Sequence, residues 1–387
     1  MKLHTRHLPF YFLFARLLFT AALPLEGLRG YGDLQHFFNL AALGWPYFDF
    51  WVEFPPLFPF FSRLLYLLAG GQQHVYDYLL VISLSLAQAG GLALFLRLDG
   101  LLYGGEGRPG SRLLYFLLTL CLAYGWWYFD PLPVLFMLLG LCWLFEGRDV
   151  PAGLALAAGA LTKLFPLLAL SAAWYRLPPR RALRATAAAL GVTALVYALL
   201  YVASPEMTLA SLGSQAGKGS WETVWALLDG NLGTGNFGPL AERFDPAAAL
   251  QPQGNPPVVP PWLTLILAGL LGLGLYLRLP RGGPRSAAAF LGMAWCIFLL
   301  WSPGWSPQWV LYLLPLIMLV LPEKLGSLMA VTFVLVNLLE WPLLLSRSLN
   351  WGLWLTVPLR SLLLVLLAAL FWDSLRRFTP HPSVEAD

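Results

Sequence analysis

The chain has 387 residues, of which 58% are hydrophobic and only 11% charged, with a formal net charge of +4. A soluble domain carries roughly 25% charged residues, so a soluble enzyme is excluded. The basic residues are spread over short connections, which excludes a nucleic-acid-binding patch. The expected class is an all-α polytopic integral membrane protein, with residues 1–387 forming a single transmembrane domain.

In chain order, membrane-spanning helices are predicted near 8–25, 75–97, 112–129, 131–146, 182–203, 261–278, 285–301, 306–321, 325–345 and 352–372. The first follows Lys2 and Arg6 and has the look of a signal peptide, but reads as an uncleaved helix because the rest of the chain is also membrane-embedded. Two segments do not fit a simple crossing. Residues 55–70 are short and carry Arg63, which suggests an interfacial or re-entrant helix. Residues 150–175 are flanked by Arg148 and Arg176. A hairpin of two short halves satisfies both flanks, with its tip at "LTKLFP" (Leu161 to Pro166) and a break at Pro166. One long tilted span is the competing reading.

With the amino terminus in the cytoplasm, the positive-inside rule collects Arg97, Arg108, Arg112, Arg148, Arg176, Arg180, Arg181 and Arg285 on the cytoplasmic side. Only Arg29, Arg63, Lys218, Arg243 and Arg347 remain outside. Two large extracytoplasmic loops follow, 26–74 and 204–260, and the expected location is the plasma membrane of a prokaryote. Cys121, Cys142 and Cys296 all lie within apolar segments and read as small buried residues. No P-loop, dinucleotide fingerprint or zinc motif is present.

The polar residues that stand out lie mostly outside. Asp33, in "RGYGDLQHFF", precedes Leu34, Phe37, Phe38, Ala41 and Ala42 at helical spacing. It is either the N-cap of a surface helix or a carboxylate held at the membrane boundary as a general base. Asp49 and Glu53, in "PYFDFWVEFPP", are expected to share one face. With His36 they could hold a divalent ion, or they could simply be solvated acids. Lys163, inside a membrane segment, is costly unless it works, and as a compact charge it suits a phosphate. The alternatives are a snorkelling lysine or the partner of a buried acid. Arg360 invites the same argument, Arg16 more weakly, and Glu340 is a plausible partner for one of these cations. Trp221, Glu222 and Trp225 in the second loop suit sugar or isoprenoid contact, or surface anchoring. "SPGWSPQW" reads by itself as an aromatic belt.

Taken together, these stretches resemble GT-C membrane glycosyltransferases. "GWPYFDFWVEFPPL" (Gly44 to Leu57) is similar to their G-x-P-Y…(Y/F)-P-P-L signature, "LTKLFPLLAL" to a K-x-x-P hairpin, and "SPGWSPQWVLYLLPL" to an S-P…Q-(Y/W)…P-L segment. The closest group looks like the polyprenol-phosphate-mannose-dependent mannosyltransferases, relatives of the phosphatidylinositol-mannoside enzymes and of the first GPI mannosyltransferase. The resemblance implies a GT-C-like helix bundle. It also implies inverting transfer of a hexose, mannose by analogy, from a polyprenyl-phosphate-sugar donor to a lipid or glycan acceptor outside the cell. Asp33 would be the base, with Lys163 and Arg360 at the donor phosphate. His36, Tyr47, Glu53, Trp305, Gln308, Trp221 and Glu222 would contact substrate. Membrane lipids and the two substrates are the implied partners, and nucleic acid is not one. No cofactor is implied, and "YGDLQ" lacks the second acid of a D-x-D metal motif. A transporter or lipid-linked-sugar flippase is the competing class. Transporters usually carry paired repeats with broken helices, and here there is one hairpin and no convincing repeat.

Overall fold

The computed structural model describes residues 5–24, 27, 29–104, 107–235 and 237–378. Among these, every regular element is helical. The helices run α1 (Leu8–Ala22), α2 (Leu34–Leu43), α3 (Leu57–Leu68), α4 (Gln73–Tyr103), α5 (Pro109–Cys121), α6 (Tyr124–Trp127), α7 (Pro131–Phe145) and α8 (Asp149–Thr162). They continue as α9 (Leu170–Arg176), α10 (Pro179–Ala203), α11 (Pro205–Gly217), α12 (Val224–Asp229), α13 (Pro261–Arg278), α14 (Pro284–Trp301), α15 (Val310–Val320), α16 (Glu323–Leu338) and α17 (Leu353–Phe378). Proline opens α5, α7, α10, α11, α13 and α14, where its missing N–H is one that no helix could satisfy.

Among the described residues six helices are long and apolar enough to cross a bilayer. Their burial separates core from lipid face. All of α15 is buried, whereas α13, long and apolar, buries none of its residues and presents itself to lipid. The protein is therefore an all-α polytopic membrane protein, as its composition implies.

Several boundaries differ from the sequence reading. Residues 112–129 do not form one span: α5 stops at Cys121 and the chain unwinds before α6. Arg16 explains the stop. Buried in α1, it donates to the carbonyls of Thr119 (2.7 Å) and Leu122 (3.0 Å) and lies 4.2 Å from the Trp126 ring centre. It therefore satisfies carbonyls that the helix end leaves open. Cys142 and Cys296 are buried, but Cys121 is exposed at this break.

Residues 150–175 form the two-part hairpin rather than a tilted span. Helix α8 ends at Thr162, Lys163 is extended, and a short 3-10 turn (Phe165–Ala169) leads into α9. The reversal is tight enough that a Cβ on Gly159 would lie 2.7 Å from Pro166 Cβ. Both feet of the hairpin lie at one end of the bundle. Arg176 donates to the Leu144 carbonyl (2.9 Å) and Arg181 grips Asp149 (2.8 Å). The tip lies at the other end, beside the start of α7.

The arginine-rich end also holds Arg97 on Glu146 (2.6 Å) and Arg112 on Asp99 (2.6 Å). The opposite end carries Asp33, α2, α3 and the 204–260 segment. That segment is docked onto the first loop through Trp51, whose indole N–H donates to the carbonyls of Glu242 (3.1 Å) and Asp245 (3.0 Å).

Candidate functional site

Asp33 stands at the N-cap position of α2, but its carboxylate caps nothing. Its backbone N–H donates to the Trp127 carbonyl (3.0 Å), which fixes the residue against the start of the next outer turn. Among the described residues its carboxylate has no hydrogen-bond or ion-pair partner. Desolvation by the surrounding protein raises its pKa to about 6, opposed by the charges of His36 and Lys163 and helped by Glu53 and Asp130. Those four groups and Asp33 form one electrostatic cluster.

A second carboxylate of this cluster is fully committed. Glu53 Oε1 meets His36 Nε2 at 3.0 Å, and its Oε2 pairs with Arg243 from the second loop. Both members of the Glu53–Arg243 pair are buried, and the guanidinium lies 4.1 Å from the Trp51 ring centre. Burial pushes the Glu53 carboxyl up, but the His36 hydrogen bond and the Arg243 charge outweigh it and hold it well below the usual range. For His36, burial works against the charged form. The bond to Glu53 and that carboxylate's charge outweigh it and raise its pKa.

Asp130 is buried at the start of α7. Its Oδ1 accepts from Lys163 Nζ (2.7 Å), while its Oδ2 has no hydrogen-bond partner among the described residues. Lys163 projects from the hairpin tip into an aromatic enclosure, 5.3, 5.2 and 5.6 Å from the ring centres of Phe129, Phe165 and Trp309. Gln308, in the turn Pro307–Trp309, is buried with its Oε1 unpaired, so a polar group aimed at it from a substrate would find an acceptor waiting.

Lys218 is an outer cation with aromatic rather than acidic neighbours. It lies 3.5 Å from the Trp221 ring centre and 4.1 Å from that of Phe237, and among the described residues no acid pairs with it. Burial lowers its pKa to about 8, opposed by the charges of Glu53, Glu222 and Asp33. The glycine-rich segment after α12 makes room for it: a Cβ on Gly235 would lie 2.5 Å from Lys218 Nζ.

The remaining expected site residues have other surroundings. Arg360 is buried and bound: it pairs with Glu340 and donates to the Glu222 carbonyl, and its guanidinium lies 4.5 Å from the Trp305 ring centre. Glu340, which the sequence offered as the partner of one of the membrane cations, is thus paired with Arg360. The Glu222 carboxyl is buried beside Glu340. Desolvation and that neighbour raise its pKa well above the usual range. Trp221 pins the second loop to "SPGWSPQW": its N–H donates to the Pro303 carbonyl (3.2 Å), and Trp305 N–H donates back to the Trp221 carbonyl (3.0 Å). Trp305 is buried with its indole on Asn337 Oδ1 (3.2 Å). Tyr47 is a packing brace, its hydroxyl donating to the Phe54 carbonyl (2.9 Å).

Asp49 and Glu53 do not point together. Asp49 turns back to accept from Trp45 N–H (2.7 Å), while Glu53 faces inward. The donor set that a divalent ion would need from His36, Asp49 and Glu53 is therefore not assembled. Among the described residues no other cluster of His, Cys, Asp and Glu has that geometry.

The helix bundle and this outer cluster agree with what sequence comparison shows. The profile of glycosyltransferase family 87, a GT-C-like family of membrane glycosyltransferases, matches residues 51–303. The chain belongs to glycosyltransferase family 87. No curated protein and no solved structure matches it. Within the region matched to family 87 lie Glu53, Asp130, Lys163, Lys218 and Arg243, whereas Asp33 precedes it and Gln308 and Arg360 follow it. This family 87 member is therefore a membrane glycosyltransferase, whose donor and acceptor are lipid-linked molecules met in the membrane.

The sequence reading named neither Asp130 nor Lys218 nor Arg243 as a site residue. Asp130 lies in a short outer turn before a proline, where its sequence neighbours give no sign of a partner, and at the start of α7 it makes no cap bond. Lys218 and Arg243 read as isolated outer cations, because the contacts that give them meaning reach residues far away in the chain.

Proposed function

We propose that this family 87 glycosyltransferase moves a hexose, mannose by the resemblance of its motifs, from a polyprenyl-phosphate donor to a hydroxyl of a lipid-linked acceptor on the extracytoplasmic face, with inversion. The observation that carries this reading is the Asp33 carboxylate: free of any cap bond, set in a desolvated cluster, and titrating at about 6. Such a group is ionised at neutral pH yet basic enough to accept a proton efficiently.

The charges around it favour a monophosphate donor. Lys163 is balanced by Asp130, Arg243 by Glu53 and Arg360 by Glu340. Of the cations beside Asp33 this leaves Lys218 with no acid paired to it among the described residues, and one such cation matches the single negative charge of a sugar phosphodiester better than the two of a diphosphate. Lys218 therefore takes the phosphate role that the sequence gave to Arg360, with Lys163 close by.

In the reaction, Asp33 takes the proton of the acceptor hydroxyl as its oxygen attacks the anomeric carbon. The bond from that carbon to the phosphate oxygen breaks on the opposite face. The electron pair leaves with polyprenyl phosphate, whose added charge Lys218 and Lys163 stabilise. The Gln308 amide and the rings of Trp309 and Phe165 would hold the sugar in this reading. The arginine-rich end of the bundle, opposite this cluster, supports an extracytoplasmic site.

The test is incubation of the purified protein with radiolabelled polyprenyl-phosphate-mannose and a lipid extract. A labelled lipid product is expected. Movement of the labelled donor across proteoliposomes with no sugar transfer would overturn the proposal in favour of a flippase.

A further inference from the structure

A cleft of about 650 Å³ opens between the outer end of α1 and the end of α16. Phe19, Leu23, Trp126, Leu338, Leu339 and Leu343 give it an apolar lining, and Tyr31 and Arg347 bring in the polar groups. Four observations set it apart from ordinary lipid-facing surface. First, it is concave and large enough to take a length of hydrocarbon chain. Second, Arg347 is exposed and, among the described residues, meets no carboxylate. Its guanidinium reaches only the Leu343 carbonyl of its own segment. Third, the cleft abuts the proposed base. Tyr31 lines it, Asp33 follows two residues later, and Trp127, another lining residue, holds the Asp33 N–H through its carbonyl. Fourth, this wall is rigid. Trp341 donates its indole N–H to the Tyr31 carbonyl (2.8 Å), and a Cβ on Gly32 would lie 2.3 Å from Trp127 Cβ.

We infer that this cleft binds the apolar chain of the lipid acceptor, with the acceptor's anionic phosphate at Arg347 and its sugar or polyol head reaching past Tyr31 to Asp33. The assignment rests on the proposed function, because it uses Asp33 as the group that meets the acceptor hydroxyl. The proposed function puts the donor elsewhere. Its phosphate belongs at Lys218, which does not line this cleft. A chain seated between α1 and α16 and a phosphate at the surface arginine describe an anionic amphiphile taken sideways from the outer leaflet. A neutral lipid would leave Arg347 without a counter-charge.

The test uses the full chain in nanodiscs with two photoreactive probes: phosphatidylglycerol and phosphatidylcholine, each carrying a diazirine in one acyl chain. Phosphatidylglycerol is expected to label α1 near Phe19 and Leu23 and residues 335–343. Arg347→Glu should lower that labelling by about tenfold, the effect of losing one charge-assisted contact, and leave phosphatidylcholine labelling unchanged. Excess polyprenyl phosphate should not displace the label. Equal labelling by both probes would mean annular bilayer lipid only, and would overturn the inference. Displacement by polyprenyl phosphate would assign the cleft to the donor and overturn it equally. The readout requires no sugar transfer. Selective labelling in a protein that transfers no sugar would uphold the cleft while sinking the proposed reaction.

Discussion

The clamp between the two outer loops gives a quantitative prediction. In Arg243→Met the volume is roughly kept and the charge is lost, so Glu53 is left buried with His36 as its remaining side-chain partner. Breaking a buried ion pair by removing one partner costs about 3–5 kcal/mol. The surviving His36 bond argues for the lower end, while loss of the Arg243–Trp51 cation–π contact adds about 1 kcal/mol. The expected destabilisation is about 3–4 kcal/mol. SDS titration in mixed micelles, followed by circular dichroism, measures it. In Arg243→Met combined with Glu53→Gln no charge is stranded, and a large part of the loss should return. The sign with pH is also fixed. Because the folded-state pKa of Glu53 is depressed, its contribution is present in full above the ordinary glutamate range and is lost only in strong acid. In Arg243→Met that loss should move to higher pH. A single variant within about 0.5 kcal/mol of the parent protein would refute the reasoning, since the pair would then not be holding the loops.

Other outcomes follow from the same contacts. Lys163→Met strands the buried Asp130 and should cost about 3–5 kcal/mol. Adding Asp130→Asn should restore stability in the same titration but leave transfer impaired. The pH profile of kcat/KM should rise through about 6 as Asp33 loses its proton and fall above about 8 as Lys218 loses its own. In Lys218→Arg the alkaline limb should move out of range, because arginine stays charged, while the acid limb stays; a flat profile would contradict both assignments. Gly304→Ala would place a Cβ 2.1 Å from the Trp221 ring. The expected cost is about 1–3 kcal/mol, with faster proteolysis of the 204–260 segment.

Much of the bundle was legible because each crossing announces itself locally, as an unbroken apolar run between prolines and arginines. The hairpin was legible for the same reason: two cationic flanks and a lysine three residues before a proline admit few geometries. Asp33 was readable as a candidate, but not the fact that decides its chemistry. A residue at an N-cap position looks the same in sequence whether or not its carboxylate bonds back to the helix. The pairing of cations with acids was the least legible part. Glu53 is 190 residues from Arg243, and nothing local tells a paired buried arginine from a substrate-binding one. Arg360 illustrates the limit. Its position within a membrane helix correctly signalled that it must have a partner, but that partner is a glutamate of the same protein. Lys218, which looked like an ordinary loop lysine, has aromatic rings around it and no acid paired with it among the described residues.

The central claim is that Asp33 is the base of a sugar transfer, and one comparison tests it most directly. The parent protein and Asp33→Asn, both purified and shown to be inserted and folded, are assayed with the radiolabelled polyprenyl-phosphate-mannose donor and lipid extract. The account predicts a labelled lipid product from the parent protein, and a rate lower by at least about 100-fold in the variant, the scale of a lost general base. A variant that retained full transfer activity would contradict it.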